Sequence, residues 1–80
     1  MIIGKTIEQN NICGRRVREA REKLKLSQDQ LAAKLQTEGL GVNQNSISRI
    51  ETGKRIVTDF ELAALAKVLD VDVNWLLPDE

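Results

Sequence analysis

Residues 43–55, NQNSISRIETGKR, place two large apolar side chains among many that donate or accept hydrogen bonds. On a helix that turns by about 100° per residue, Ile47 and Ile50 lie on one side. The other side carries two primary amides, a hydroxyl and a guanidinium, contributed by Gln44, Asn45, Ser48 and Arg49. The stretch therefore predicts a helix that its isoleucines hold against a core, with a hydrogen-bonding face directed outward.

That outer face carries the chemical groups that recognise base pairs. Asparagine and glutamine can make two hydrogen bonds to an adenine edge, and arginine can do the same with guanine. An ordinary helix surface more often carries Glu, Lys and Ala, because Asn and Ser form helices less well. The chemistry of the face alone leaves open both DNA recognition and an ordinary solvated surface.

Two amphipathic helices are predicted before this stretch. Apolar residues recur at helical spacing between Cys13 and Leu24. Ser27 and Gln30 form an S-x-x-Q capping box, which predicts the start of a second helix, and the glycines within residues 37–41 are suited to ending it. The apolar sides of the two helices comprise Val17, Ala20, Leu24, Leu31, Ala32 and Leu35.

The remaining elements follow from capping signals around and after the opening stretch. Asn43 is the expected N-cap of the third helix, and Gly53 suits the left-handed position that stops it. Thr58 and Glu61 form another capping box. The fourth helix has its apolar residues at Leu62, Leu65, Ala66 and Leu69. With a short final turn at residues 73–77, the prediction is five helices and no strands.

Length and composition limit the class of protein. Eighty residues form one small domain. The only cysteine, Cys13, cannot make an internal disulfide and is expected to be a small core residue. Because the chain has no histidine, we expect no metal site, no cofactor and no enzyme activity. No apolar run approaches the length of a membrane span, so we expect a cytoplasmic protein.

Charge is distributed unevenly along the chain although the net charge is zero. Residues 1–55 carry eleven Lys or Arg against six Asp or Glu, a net charge of +5, and residues 56–80 carry one against six, a net charge of −5. A basic half can indicate a nucleic-acid face, although solvated helix surfaces give the same pattern.

Several motifs together resemble one known family. LSQDQLAAKL, SISRIETGKR and FELAALAKVLDVDVNWLL, within residues 14–77, are similar to the Cro and phage-repressor type of helix-turn-helix domain, the XRE-like family. The resemblance implies an all-α, compact five-helix lambda-repressor-like domain over residues 13–77. Residues 1–12 are then an N-terminal arm or lead-in, and residues 78–80 a tail.

The resemblance also implies roles for individual residues. The third helix would lie in the major groove of double-stranded DNA, and the second would lie across it against the backbone. Base contacts would come from Gln44, Asn45 and Arg49, and backbone or supporting contacts from Gln28, Asn43, Ser46, Ser48, Lys54 and Arg55. Arg21 and Glu51 would form a scaffold ion pair. Trp75, Leu76 and Leu77 are either core residues or an exposed apolar patch, and the resemblance favours a homodimer contact, because family members commonly pair near this helix.

The function that follows is a sequence-specific DNA-binding transcriptional regulator, a repressor, acting as a dimer on an operator with two-fold symmetry. The alternative is a protein-interaction module of the same fold, antitoxin-like or an adaptor, without sequence-specific DNA recognition. The link before Asn43 is about five residues longer than in compact members of the family. We therefore expect either a longer second helix or a bulged turn.

Overall fold

The computed structural model describes residues 9–78, and within that range the chain forms five helices and no strand. The helices are α1 (Gly14–Lys23), α2 (Gln28–Thr37), α3 (Gln44–Glu51), α4 (Asp59–Leu69) and α5 (Val73–Leu76). The predicted all-α, five-helix architecture is confirmed. Residues 1–8 of the expected arm, and Asp79 and Glu80 of the expected tail, lie outside the described residues. Between residues 9 and 78, no helix combines the length and the apolar character that a membrane crossing requires.

The helix starts follow the capping signals in the sequence. Ser27 Oγ accepts a hydrogen bond from the Gln30 N–H at 3.0 Å, and Gln30 Oε1 accepts one from the Ser27 N–H at 2.8 Å. Thr58 and Glu61 make the same reciprocal bonds before α4. Asn43 is the N-cap of α3, as predicted. These bonds satisfy N–H groups that have no partner inside their helices, so each start is fixed locally.

The core receives apolar side chains from all five helices. Its largest fully buried members are Val17, Leu31, Leu35, Ile47, Ile50, Leu65 and Leu76. Cys13 is also buried, as predicted, and burial raises the pKa of its thiol because the thiolate would lose its solvation. Through its two isoleucines α3 packs on both α1 and α2.

Leu24 departs from the prediction that it belongs to the apolar stripe of the first helix. Helix α1 ends at Lys23, and the Leu24 side chain is 46% exposed. The chain turns immediately afterwards at Lys25, which has a positive φ of 59°. This turn carries the chain away from the axis of α1, so the buried stripe of α1 ends at Ala20.

The long link between α2 and α3 is anchored at several points. Gln36 Nε2 donates to the Val42 carbonyl at 2.7 Å, and Lys67 of α4 pairs with Glu38 at 3.0 Å. Val42 is buried, and Leu40 packs against the core. The additional length is therefore divided between a ten-residue α2 and a turn at residues 38–43 that is held against the domain.

Candidate nucleic-acid interface

Helix α3 has one buried side and one exposed side, as its sequence predicts. Ile47 and Ile50 are completely enclosed in the core. Gln44, Asn45 and Arg49 are exposed. Because both isoleucines are fixed by packing, the rotation of α3 about its axis is fixed too, and with it the direction of the three polar side chains.

A chain of hydrogen-bonded side chains fixes α3 to α1 and α2. Arg21 of α1 donates to both oxygens of Glu51, Nε to Oε2 at 2.7 Å and Nη2 to Oε1 at 3.1 Å. Gln28 Nε2 donates to Glu51 Oε1 at 3.1 Å, and Gln28 Oε1 accepts from Gln44 Nε2 at 2.5 Å. We define Arg21, Glu51, Gln28 and Gln44 as the polar network. It connects the last residue of α3 with its first residue through the start of α2.

The polar network also determines the charge at this surface. Glu51 is the only acidic residue of α3, and its carboxylate faces the guanidinium of Arg21. The hydrogen bond to Glu51 raises the pKa of Arg21, so Arg21 remains charged. The exposed side of α3 therefore carries the charge of Arg49 without an opposing carboxylate from the same helix. Within residues 9–78, no cluster of acidic or cysteine side chains is arranged to hold a metal ion.

Gln28 lies where α2 begins, half-buried beside the start of α3. Its amide is bonded to Glu51 and Gln44, while the first backbone N–H groups of α2 lie at the same end. Those N–H groups and the positive end of the helix dipole favour an anion. A phosphate contact here remains a prediction. If Gln28 contacts a phosphate, its bond to Gln44 would connect that contact with the exposed face of α3.

Asn43, Ser46 and Ser48 are the residues predicted to make backbone or supporting contacts to DNA. Asn43 Oδ1 accepts from the Ser46 N–H at 2.9 Å, and Ser46 Oγ accepts from the Asn43 N–H at 3.1 Å. These two polar side chains cap α3, and a further contact to DNA remains a prediction. Ser48 is half-buried at the edge of the exposed face.

Lys54 and Arg55 lie in the loop after α3, but their side chains have different surroundings. Lys54 is exposed, and its backbone N–H donates to the Arg49 carbonyl at 2.8 Å. The Arg55 guanidinium makes two hydrogen bonds to the Glu61 carboxylate, at 2.9 and 2.8 Å. This pairing raises the pKa of Arg55 and lowers the pKa of Glu61. A phosphate contact remains a prediction for both residues; Lys54 is exposed, whereas Arg55 already pairs with a carboxylate of α4.

Sequence reasoning missed the contacts of two asparagines before α1. The side chain of Asn11 donates to the carbonyls of Ile50 and Arg55, at 3.1 and 2.7 Å. Asn10 donates through its side chain to the Lys54 carbonyl at 3.2 Å. The NN pair was visible in the sequence, but no helical spacing or capping pattern links it to residues some forty positions away. Asn10 and Asn11 therefore lie against the end of α3 and the loop that follows it.

The expectation that Leu76 forms a dimer contact is wrong. Leu76 has no exposed surface, because the short α5 directs it into the core. Trp75 packs against the core and lies under the Arg16 guanidinium, 4.7 Å from the ring centroid, while Arg16 Nη1 donates to the Trp75 carbonyl at 2.6 Å. Of the three residues only Leu77 is exposed, at 37%. Trp75 and Leu76 therefore contribute mainly to the packing of the domain itself.

Helices α2 and α3, their link, and the exposed polar face of α3 define a helix-turn-helix domain. Residues 17–76 match the family model described as Helix-turn-helix. The chain belongs to this family, in its Cro/C1-type, XRE-like form, so the resemblance noted in the sequence is confirmed. No curated protein matches the chain. The family comprises DNA-binding regulators and is generally non-enzymatic, and the class of protein is therefore a DNA-binding helix-turn-helix regulator.

Proposed function

We propose that the protein is a sequence-specific regulator of transcription, a repressor, that binds double-stranded DNA with α3 in the major groove. The observation that carries the proposal is the fixed presentation of three polar side chains on α3. Its isoleucines fix the rotation of the helix, and the polar network fixes both of its ends. Little ordering of α3 would then be required on binding, so less of the contact energy is lost.

Sequence preference would come from Gln44, Asn45 and Arg49. A primary amide matches the N6 and N7 atoms of adenine, and a guanidinium matches the O6 and N7 atoms of guanine. The Nε2 of Gln44 donates to Gln28 Oε1, and this bond fixes the direction of the Gln44 side-chain oxygen. We expect Gln44 to be the most precisely placed of the three residues on the exposed face.

Affinity would come from contacts to phosphates beside the groove. Lys54 is exposed in the loop that follows α3, and the start of α2 offers backbone N–H groups next to Gln28. Each phosphate neutralised by a cation releases counterions, so binding should weaken steeply as salt increases. The net charge of the chain is zero, but the acidic residue of α3 does not repel a phosphate as a free charge would, because the Glu51 carboxylate is paired with Arg21.

We further propose that two copies bind an operator with two-fold symmetry, with half-sites about one helical turn apart. Since Leu76 is buried, the contact between the copies requires other apolar side chains. Phe60 and Ile56, at 80% and 68% exposed, are the most exposed large apolar residues of the described chain. They flank the start of α4, close in sequence to the Arg55–Glu61 pair. Repression would follow most directly from occupying the operator.

Selection of binding sites from a random duplex pool tests the proposal. An enriched palindrome supports it, and Arg49→Ala should then lose preference at one base position by roughly 1 to 3 kcal/mol. Absence of any enrichment at low salt would contradict it. That result would favour a protein-interaction module, for which the exposed Phe60 offers a contact surface.

The phosphate contact has its own test. Lys54→Ala should weaken binding to all sequences alike and reduce the slope of log affinity against log salt by about 0.9. Lys34→Ala is the matched control, because Lys34 is exposed six residues, or about 9 Å, beyond the start of α2. Equal slopes for the two variants would show that Lys54 makes no phosphate contact.

A further inference from the structure

Asn11 joins three segments that are distant in sequence. Its Nδ2 donates to the Ile50 carbonyl at 3.1 Å and to the Arg55 carbonyl at 2.7 Å. Its Oδ1 accepts from the Gly14 N–H, the first of α1, at 2.9 Å. One half-buried amide therefore fastens the start of α1 to the last turn of α3 and to the loop beyond it.

Asn10 extends this attachment along the same loop. Its backbone N–H donates to the Gly53 carbonyl at 2.9 Å, and its Nδ2 donates to the Lys54 carbonyl at 3.2 Å. Gly53 is buried, and a Cβ added to it would have Gln9 Cγ as its nearest neighbour, at 3.9 Å. Together the two asparagines satisfy the carbonyls of Ile50, Gly53, Lys54 and Arg55.

Only the Ile50 carbonyl belongs to α3, where it also accepts from the Gly53 N–H at 3.1 Å, and the other three carbonyls lie in the loop beyond the helix. The last carbonyls of a helix have no partner within it, and a loop without regular structure offers few. The loop also makes two bonds of its own to α3: the Gly53 N–H donates to the Ile50 carbonyl, and the Lys54 N–H donates to the Arg49 carbonyl. The asparagines supply the second set of bonds, so the Lys54 backbone is held from both directions.

We propose that Asn11, assisted by Asn10, is a positioning residue for DNA binding, which fixes the loop that presents Lys54 to a phosphate. Asn11 itself touches no DNA in this scheme and acts through the loop backbone. The effect on DNA binding rests on the proposed function, whereas the ordering of the loop by Asn11 is independent of DNA. The segment just before α1 is then a structural part of the DNA-binding surface.

Asn11→Ser separates this role from capping. A serine hydroxyl can still accept from the Gly14 N–H, as in an N-terminal cap, but is too short to reach Ile50 and Arg55. Val68→Ala is the matched control, because it truncates a partly buried apolar side chain on a different element, in the last turns of α4. Both changes leave the net charge unaltered.

The first measurement is amide hydrogen exchange without DNA. In Asn11→Ser the Lys54 amide should exchange at least about tenfold faster, relative to the core Leu65 amide, than in Val68→Ala, because local opening becomes easier. Unchanged relative exchange would overturn the proposal, since Asn11 would then not order the loop.

The second measurement is a double-mutant cycle for binding to the selected operator. Asn11→Ser alone should weaken binding by roughly 3- to 10-fold, the cost of ordering a side chain and its loop on association. Lys54→Ala should have a clearly smaller effect in the Asn11→Ser background than in the wild type, because the two residues act through one contact. Full additivity, or wild-type affinity for Asn11→Ser, would overturn the positioning role while the proposed function stands. Absence of operator binding by the wild type would instead refute the proposed function, and the positioning role with it, whatever the exchange result.

Discussion

Glu51, the last residue of α3, holds Arg21 of α1 through two hydrogen bonds from one guanidinium to both carboxylate oxygens. The two side chains are 3% and 12% exposed, so the pair is largely removed from water. Arg21 Nη1 also donates to the Leu26 carbonyl at 2.7 Å, in the turn before α2. The pair therefore connects α1 with α3, the bond to Leu26 adds the turn before α2, and together they position the end of the helix proposed to enter the groove.

Arg21→Ala should lower the free energy of unfolding by roughly 3 to 5 kcal/mol, because it leaves the Glu51 carboxylate buried without its partner. Arg18→Ala is the matched control. Arg18 pairs with Glu22 on the surface of α1, where both side chains are more than half exposed, and its loss should cost about 0.5 kcal/mol or less. Urea unfolding of both variants measures the difference. Similar small changes in the two would show that the Arg21 pair contributes no more than a surface pair.

Gly14→Ala should destabilise the domain by roughly 1 to 3 kcal/mol through overpacking. A Cβ at Gly14 would collide with the Ile50 carbonyl oxygen and lie 3.1 Å from the Glu51 carbonyl oxygen. Both are backbone atoms, so relief requires α1 and α3 to separate. Gly41→Ala is the control, since a Cβ added there would have no atom within 4 Å. Thermal unfolding should therefore show a lowered midpoint for Gly14→Ala alone, and equal midpoints would mean that the helices can separate without cost.

Glu61→Gln should remove a pH-dependent part of the stability. The hydrogen bonds from Arg55 lower the folded-state pKa of Glu61 below its ordinary value of 4.5, so its contribution is complete above that pH and disappears as the pH falls through the lowered value. At pH 7 the variant should be less stable by about 1 kcal/mol, and the difference should shrink below pH 4. Denaturant unfolding at pH 7 and pH 3 tests this, with the exposed Glu19→Gln as control. A difference that stays constant with pH would exclude a charged pair.

Phe60→Ser should weaken self-association at least about tenfold if the second copy packs against the start of α4, because burying a phenylalanine side chain contributes roughly 1.5 to 3 kcal/mol. Leu77→Ser tests the C-terminal alternative, as Leu77 retains 37% exposure. Sedimentation equilibrium of the three proteins distinguishes the surfaces. If Leu77→Ser alone causes dissociation, the two copies associate through the C-terminal surface and not through the start of α4. A wild type that is monomeric at all concentrations would refute association through either surface.

Local signals made much of the fold predictable. The capping boxes at Ser27 and Thr58 act over three residues, and the two faces of α3 follow from the spacing of Ile47 and Ile50. Interactions across long sequence separations were not predictable in this way. No pattern near Asn11 indicates its contacts with Ile50 and Arg55, which lie 39 and 44 residues away.

The C-terminal residues show why very short helices are difficult to interpret. Helix α5 has four residues, too few for its apolar side chains to display a helical period. From sequence, Leu76 and Leu77 are equivalent neighbours, yet one is fully buried and the other exposed. Likewise, Glu61 is predictable as a capping residue, but its pairing with Arg55 depends on how the loop at residues 54–58 returns to α4.

The bond between Gln28 and Gln44 joins the starts of α2 and α3 across sixteen residues of chain. Side-chain contacts therefore help to set the spacing of α2 and α3, together with the anchored link between them. Gly41, exposed and with open space around its Cα, lies at the outer part of that connection, where added residues cost little beyond the entropy of a longer loop. Because the neighbouring Leu40 and Val42 pack on the core, a peptide inserted at Gly41 should preserve the spacing of α2 and α3 only if both of these side chains keep their places.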